Sequence, residues 1–281
     1  EANENALKVA SFHTGKAKVL AFRKAFHGRT SGAVAATDNP KIQAPFNSTE
    51  NIEFAPLNDL ESVAAKLSSG EFAAVIIEGI QGVAGIYEPT SEFFHGLREL
   101  CNRHGCVLIL DEIQSGYGRT GRFFAHQHTG VRADIITTAK GMGNGFPIGG
   151  VLISPEIKAS YGMLGTTFGG SHLACAAAIA VADVVKAEEL VENARVMGEK
   201  IMQGIADVSG VKDVRGRGLI IGIDLSVPQA DFRKVLREKH HIMTGLSGKH
   251  TLRLLPPLMI GEREVERFVE AFKATAAEMG M

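Results

Sequence analysis

Four short and almost unbroken aliphatic runs restrict the possible folds of this chain more than any other feature. They are "KVLAF" (Lys18–Phe22), "AAVIIEG" (Ala73–Gly79), "VLILD" (Val107–Asp111) and "DIITTAK" (Asp134–Lys140). A strand with one wet face alternates apolar and polar residues, whereas a strand without alternation has both faces covered. Helical patterns separate several of the runs. "DLESVAAKLSS" has Asn58 or Asp59 as its N-cap. "SEFFHGLRELCNRHG" puts Phe93, Phe94, Leu97 and Leu100 on one face, with Ser91 before it and Gly105 as C-cap. Strand–helix alternation of this kind predicts an α/β fold with a mostly parallel sheet.

The character changes from about His172. A long Ala-rich helical stretch with a break near Lys186–Leu190 leads into "VKDVRGRGLIIGIDL", two strand-like runs around a Gly-rich turn. A helix ("ADFRKVLREKHHI"), a strand ending in prolines ("TLRLLPPLMI") and a terminal helix follow. The expected division is a large domain over 1–185 and a smaller α+β domain over 186–281. The first residues, "EANENALKVASFHT", read as the middle of an amphipathic helix, with Ala6, Leu7, Ala10 and Ser11 at helical spacing. A chain that starts in this way is expected to be a fragment of a longer one.

Bulk properties exclude several function classes. The formal net charge is −1, which gives no electrostatic basis for holding nucleic acid or an anionic membrane. Charges interrupt every apolar stretch well short of the roughly 20 residues a bilayer requires. Three cysteines, Cys101, Cys106 and Cys175, form neither a CxxC pair nor an even set, which favours a reducing cytoplasm. The histidines show no HExxH or His/Cys ligand spacing, so no metal site is expected.

Two of the runs end in a charge followed by a Gly-rich turn: Asp111 in "VLILDEIQSGYG" and Lys140 in "DIITTAKGMGNGFPIGG". The carboxyl ends of such strands are where ligands collect in α/β sheets. Burial of Lys140 there would strip its hydration and favour the free amine, which suits imine formation with an aldehyde. A carboxylate at Asp111 suits a protonated ring nitrogen, and Gln114, three residues on, could donate to a phenolic oxygen. "FRKAFHGRTSG" offers Phe26 as a stacking platform and Arg29 as a fork for carboxylates. "GTTFGGSHLACAA" puts Thr166 and Thr167 in a Gly-rich turn before a helix, which suits a phosphate. Each has a plainer reading. Asp111 and Lys140 could form a structural salt bridge, or Asp111 could cap a helix with Gln114 in solvent. Phe26 could be core, Arg29 a surface charge, and the threonine loop an ordinary turn.

In combination the chain resembles the class III pyridoxal-phosphate aminotransferases, and within them the branch acting on N-acetylornithine or N-succinylornithine. The resemblance runs the whole length, on "FHGRT", "EGIQG", "LDEIQSGYGRTG", "TTAKGMGNGFPIG", "GTTFGGSHLACAAA" and "LRLLPP" in that order. It implies a fold-type I transferase large domain with a smaller C-terminal domain, lacking its N-terminal portion and the glycine-rich phosphate loop. The implied cofactor is pyridoxal 5'-phosphate. Lys140 would be the Schiff-base lysine and proton shuttle, Asp111 the partner of the pyridine nitrogen, Gln114 a contact of the phenolic oxygen and Phe26 the stacking ring. Thr167 would reach the phosphate in a neighbouring subunit, making the site a property of a homodimer. Arg29 would grip a carboxylate of the ornithine-type donor, and Arg253 the α-carboxylate of glutamate or 2-oxoglutarate, with Glu78 beside the substrate.

The implied reaction moves the δ-amino group of the N-acylornithine to 2-oxoglutarate, in arginine biosynthesis. One departure concerns "EGIQGVAG". The family usually has a glutamate five residues after the first Glu, where it can neutralise the arginine matching Arg253; here that position is Val83. An arginine not neutralised in this way would favour a donor with an extra carboxylate, N-succinylornithine over N-acetylornithine. Rival readings are a class III enzyme for free ornithine, 4-aminobutyrate or another ω-amine, and a non-catalytic α/β scaffold.

Overall fold

In the computed structural model, which describes residues 1–281, the four aliphatic runs lie side by side as neighbouring strands. The first part of the chain forms α1 (Ala2–Thr14), β1 (Lys18–Phe22), α2 (Ser31–Ala35), β2 (Ile52–Ala55), α3 (Leu60–Leu67) and β3 (Phe72–Glu78). Next come α4 (Ser91–His104), β4 (Val107–Asp111), β5 (Ile135–Thr138), β6 (Gly150–Ile153) and α5 (His172–Ala187). The six strands are ordered β2-β1-β3-β4-β5-β6, all parallel except β6, which runs antiparallel to β5.

The missing alternation has a direct cause. Consecutive residues of one strand enter different cores. Leu20, Val75, Ile77, Leu108 and Leu110 pack with Leu67, Phe93 and Leu97 on the side of α3 and α4. Val19, Ala74, Ile76, Ile109 and Ile135 pack with Ala6, Val9 and Ala10 of α1 on the other. Each fully buried aliphatic side chain contributes about 1.5–3 kcal/mol, so the two cores together commit the chain to this layering.

Local signals explain the element ends. The side chain of Asp59 accepts from the Ser62 amide and caps α3. α4 is capped one residue earlier than the sequence suggests: Thr90, not Ser91, accepts from the Phe93 amide, and Gly105 closes the helix in the left-handed conformation. Lys16 Nζ then donates to the His104 and Gly105 carbonyls, a cation at the negative end of the helix. β5 is shorter than "DIITTAK". The Asp134 carboxylate is drawn aside to Arg98 and to the Leu108 amide, and Lys140 leaves the strand at φ 45°. The short strand β2 carries no aliphatic run and β6 only the three residues Val151–Ile153, so both escape a reading based on longer runs.

Contact density divides the chain into two units: Glu1–Gly79, Pro89–Gly116 and Ala125–Asp183 form the first, and Ile80–Glu88, Tyr117–Phe124 and Val184–Met281 the second. The second contains α6 (Leu190–Ile205), β7 (Val211–Arg217), β8 (Ile220–Leu225), α7 (Gln229–His240), β9 (Gly245–Ser247), β10 (Thr251–Leu254) and α8 (Glu262–Glu278). Its antiparallel sheet is ordered β7-β8-β10-β9. One face carries Ile221, Ile223, Leu225 and Leu252, packed on Ile201, Phe232, Phe268 and Phe272. The break in the long Ala-rich stretch is the left-handed Glu189, φ 49°.

α6 crosses the β7–β8 turn without room for a side chain. A Cβ on Gly198 would lie 1.9 Å from the Gly218 carbonyl oxygen. Gly198→Ala is therefore expected to destabilise the protein by about 2–3 kcal/mol, the cost of overpacking against rigid backbone. A lowered urea midpoint at unchanged slope checks this. No helix is long and apolar enough to cross a membrane. All three cysteines are free, and burial pushes the Cys101 and Cys106 thiols up, so both stay un-ionised.

Candidate active site

The best-held side chain at the carboxyl edge of the large sheet is Asp111, the last residue of β4, only 4% exposed. Its Oδ2 accepts from Asn3 Nδ2 at 2.7 Å and pairs with His27 Nδ1 at 2.8 Å. Its Oδ1 accepts from the Ile113 amide at 3.0 Å. Asn3 comes from α1 and His27 from the turn after β1. Asn3 in turn accepts from Thr137 Oγ1 of β5 at 2.7 Å, and donates to the His27 carbonyl at 2.6 Å. Two segments distant in sequence thus aim side chains at one carboxylate, and a neighbouring backbone amide adds a third contact. A carboxylate only accepts, so the proton of the His27 pair sits on Nδ1; His27 Nε2 is buried with no partner.

Sequence reasoning missed Asn3, His27 and Glu112. His27 lies inside the quoted "FHGRT", between the two residues that drew attention there. Asn3 has no signal beyond being a polar residue on the buried face of an amphipathic helix. Glu112 is 1% exposed and accepts from Ser115 Oγ and the Ala125 and His126 amides, stapling the turn after β4.

Glu78, at the end of β3, stands directly opposite Asp111 in the parallel register. It is buried and accepts from the Phe26 amide at 3.0 Å, so it holds the turn that carries Phe26. Phe26 itself is half-buried and Arg29 exposed. Gln114 is half-buried, with Oε1 fully covered and unpartnered, rather than turned to solvent. Thr166 and Thr167 are exposed in the loop before α5.

Lys140 is a correction. Burial was expected; the residue is exposed, on a short 3-10 turn (Lys140–Met142) that begins two positions beyond the end of β5. Asp111 pairs with His27 and Asn3 rather than with Lys140, which removes the plain salt-bridge reading.

Arg253 belongs to the second unit, on β10. Its Nη1 donates to the Gly82 carbonyl at 2.7 Å and its Nε to the Leu246 carbonyl at 2.8 Å. Both acceptors are neutral. Val83, at the position of the expected glutamate, is exposed and contributes its carbonyl to Ser247 Oγ.

The first unit's residues fit a flat, protonated nitrogen heterocycle bearing an oxygen and an aldehyde. A buried carboxylate, a covered amide oxygen without a partner, an aromatic face and an accessible primary amine supply the complementary groups. The Gln114 amide can present its NH₂ group where the oxygen now lies, since the two orientations are nearly isosteric.

A family model described as Aminotransferase class-III matches residues 1–276. The chain is 42% identical to the acetylornithine aminotransferase of Corynebacterium efficiens, covering 99% of this chain and 70% of that protein. It is also 42% identical to the acetylornithine aminotransferase of Archaeoglobus fulgidus, covering 96% and 72% respectively. Among solved structures it is similar to the ornithine aminotransferase of Toxoplasma gondii, which carries pyridoxal phosphate at partial occupancy in its active site. That similarity has a TM-score of 0.90 at 29% identity, over 100% of this chain and 72% of that one.

Proposed function

Since the chain belongs to the class III aminotransferases, we propose that it transfers the δ-amino group of N-acetylornithine to 2-oxoglutarate. The products are N-acetylglutamate semialdehyde and glutamate, a step of arginine biosynthesis. The observation that carries the reading is the buried, triply hydrogen-bonded Asp111 with an accessible Lys140 beyond the neighbouring strand end.

Bound to these residues, pyridoxal 5'-phosphate supplies an electron sink for the pair left behind when a C–H proton is removed. Asp111 would pair with the ring nitrogen, and the contacts from Asn3 and His27 hold its carboxylate in place. Gln114 would contact the cofactor's phenolic oxygen and Phe26 would stack on its ring. Lys140 would supply the primary amine that binds the aldehyde, and the same Nζ would serve as the base that moves the substrate proton. Arg29 binds the carboxylate of the ornithine-type donor, with Glu78 fixing the turn between them through Phe26. Arg253 binds the α-carboxylate of 2-oxoglutarate and of the glutamate formed.

The same reading makes the protein a homodimer, with Thr167 reaching the phosphate held by the partner subunit. Tyr161, Phe168, Leu173 and Ile179 are exposed apolar side chains around that loop and along α5, a surface that a second copy would cover. Residues 1–185 are proposed as the cofactor domain and 186–281 as the small domain, apart from Ile80–Glu88 and Tyr117–Phe124, which belong to the second unit. Three free cysteines suit the cytoplasm as its location.

A second reading, N-succinylornithine as donor, is favoured by Val83. Val83 stands where the family's usual glutamate is expected, so that position brings no carboxylate to the site. Steady-state kinetics on both donors, with free ornithine and 4-aminobutyrate for comparison, tests the two readings together. A preference in kcat/KM for the acetyl compound overturns the succinyl reading. Absence of glutamate formation from every donor overturns the function itself.

A further inference from the structure

A strained hairpin lies against the small sheet at the base of Arg253. Gln81 and Tyr87 pair antiparallel, with the Gln81 amide donating to the Tyr87 carbonyl at 2.8 Å. Between them Gly85 has φ +125° and Ile86 φ +63°. The left-handed region is open to glycine but costly for a β-branched side chain, on the order of 1–3 kcal/mol. The cost is offset by burial: Ile86 is fully covered and packs on Ile80 and Ile220. A backbone held in a sparsely populated conformation persists only where its surroundings over-determine it.

Those surroundings form a closed polar ring. Arg215 of β7 donates through Nε to the Gly85 carbonyl at 2.9 Å and lies over the Tyr87 ring, 4.3 Å from its centroid. Its Nη1 and Nη2 bind the Asp224 carboxylate of β8 as a fork, at 2.8 and 3.1 Å. Asp224 Oδ1 also accepts from Thr251 Oγ1 at 2.6 Å. Thr251 is two residues from Arg253 on β10, and therefore on the same face of the strand. Arg253 returns to the hairpin through the Gly82 carbonyl. The ring therefore starts at the hairpin, passes through Arg215 and two strands, and ends on the hairpin again.

We propose that Arg215 is a positioning residue for carboxylate recognition, fixing through the hairpin Gln81–Tyr87 the carbonyl that orients Arg253. This rests on the reading of Arg253 as the α-carboxylate site of 2-oxoglutarate. One contact that orients the Arg253 guanidinium is the Gly82 carbonyl, which is only as well placed as the hairpin that carries it. Arg215 is the only arginine fork bound to both the hairpin backbone and the β8 carboxylate in this ring. Lysine in its place keeps the charge but cannot bind Gly85, Asp224 and the Tyr87 face at once.

The test compares the two half-reactions of the cofactor-loaded enzyme. Arg215→Met is expected to raise the KM for 2-oxoglutarate about tenfold, the penalty of a misdirected binding group, with kcat changed less than threefold. The KM for N-acetylornithine should stay within twofold. Arg215→Lys should restore less than half of the lost affinity. Tyr87→Leu, which removes the stacked ring but no ion pair, should shift the same KM by about threefold, and it carries the test where Arg215→Met does not fold. Arg253→Met is the reference and should raise the same KM by about 10²-fold. A KM for 2-oxoglutarate unchanged in Arg215→Met and Tyr87→Leu, with Arg253→Met impaired, overturns the positioning role. So does an equal rise for both substrates, which marks a purely structural residue. An Arg253→Met enzyme with normal KM overturns the reading of Arg253 and this proposal with it.

Discussion

Lys140→Ala is expected to lower kcat by about 10⁴-fold, since in the proposed mechanism one side chain both anchors the cofactor's aldehyde and carries the proton. The structure makes this result clean to interpret. Lys140 is exposed and lies past the end of β5, so removing its side chain deletes no core contact. Surface changes of that kind stay within about 0.5 kcal/mol of stability. Glutamate formation, the visible absorption of the cofactor-loaded protein and the thermal midpoint should be measured on one sample. Loss of activity and of the lysine-dependent band, at an unchanged midpoint, is the expected outcome. A variant that retains a tenth of the wild-type rate would remove Lys140 from the chemistry.

Asp111→Asn is expected to cost about 10³-fold in kcat, the scale of losing one well-placed electrostatic contact to developing charge. Unlike Lys140, this position should also report on stability. The amide that replaces Oδ2 would point a donor at the donors already there, Asn3 Nδ2 and His27 Nδ1. Leaving one such buried group unpaired costs about 1–3 kcal/mol. His27 can relieve part of this by moving its proton to Nε2, which has no partner at present. Asn3 has no such option. Asp111→Asn, His27→Gln and the double variant, compared by denaturant midpoint, should therefore be non-additive. Additive losses would mean that the two side chains do not act through each other.

The four aliphatic runs showed the layered sheet, because a strand feeding two cores has no polar face to display. Most second-unit elements were legible, because glycines and prolines mark the ends of β7, β8 and β10, whereas the three-residue β9 was not. What stayed hidden lacked a periodic signature. β6 is four residues within a Gly-rich stretch, and its antiparallel direction follows from pairing with β5, not from anything in "GVLI". The expected burial of Lys140 failed because the strand ends two residues earlier and the backbone turns left-handed at the lysine itself. Asp111 and Gln114 were legible from their place after a strand. Asn3 and His27 were not, because a second ring of hydrogen bonds is specified by three-dimensional convergence. Arg253 was singled out by its neighbours "LRLLPP", but its contacts with the Gly82 and Leu246 carbonyls are made to backbone, which no side-chain pattern announces.

The convergence on Asp111 also has a consequence for the order of folding. Its partner Asn3 is 108 positions away in sequence and His27 is 84, while Asn3 and Thr137 are separated by 134. Contacts across such separations form late, since closing long loops precedes any gain from them, and parallel strands joined by crossovers are slow for the same reason. A nascent chain can collapse around α3, α4 and their strands and still lack a usable carboxylate. Cofactor binding followed during refolding is therefore expected to lag the recovery of helical signal, since it needs these long-range contacts.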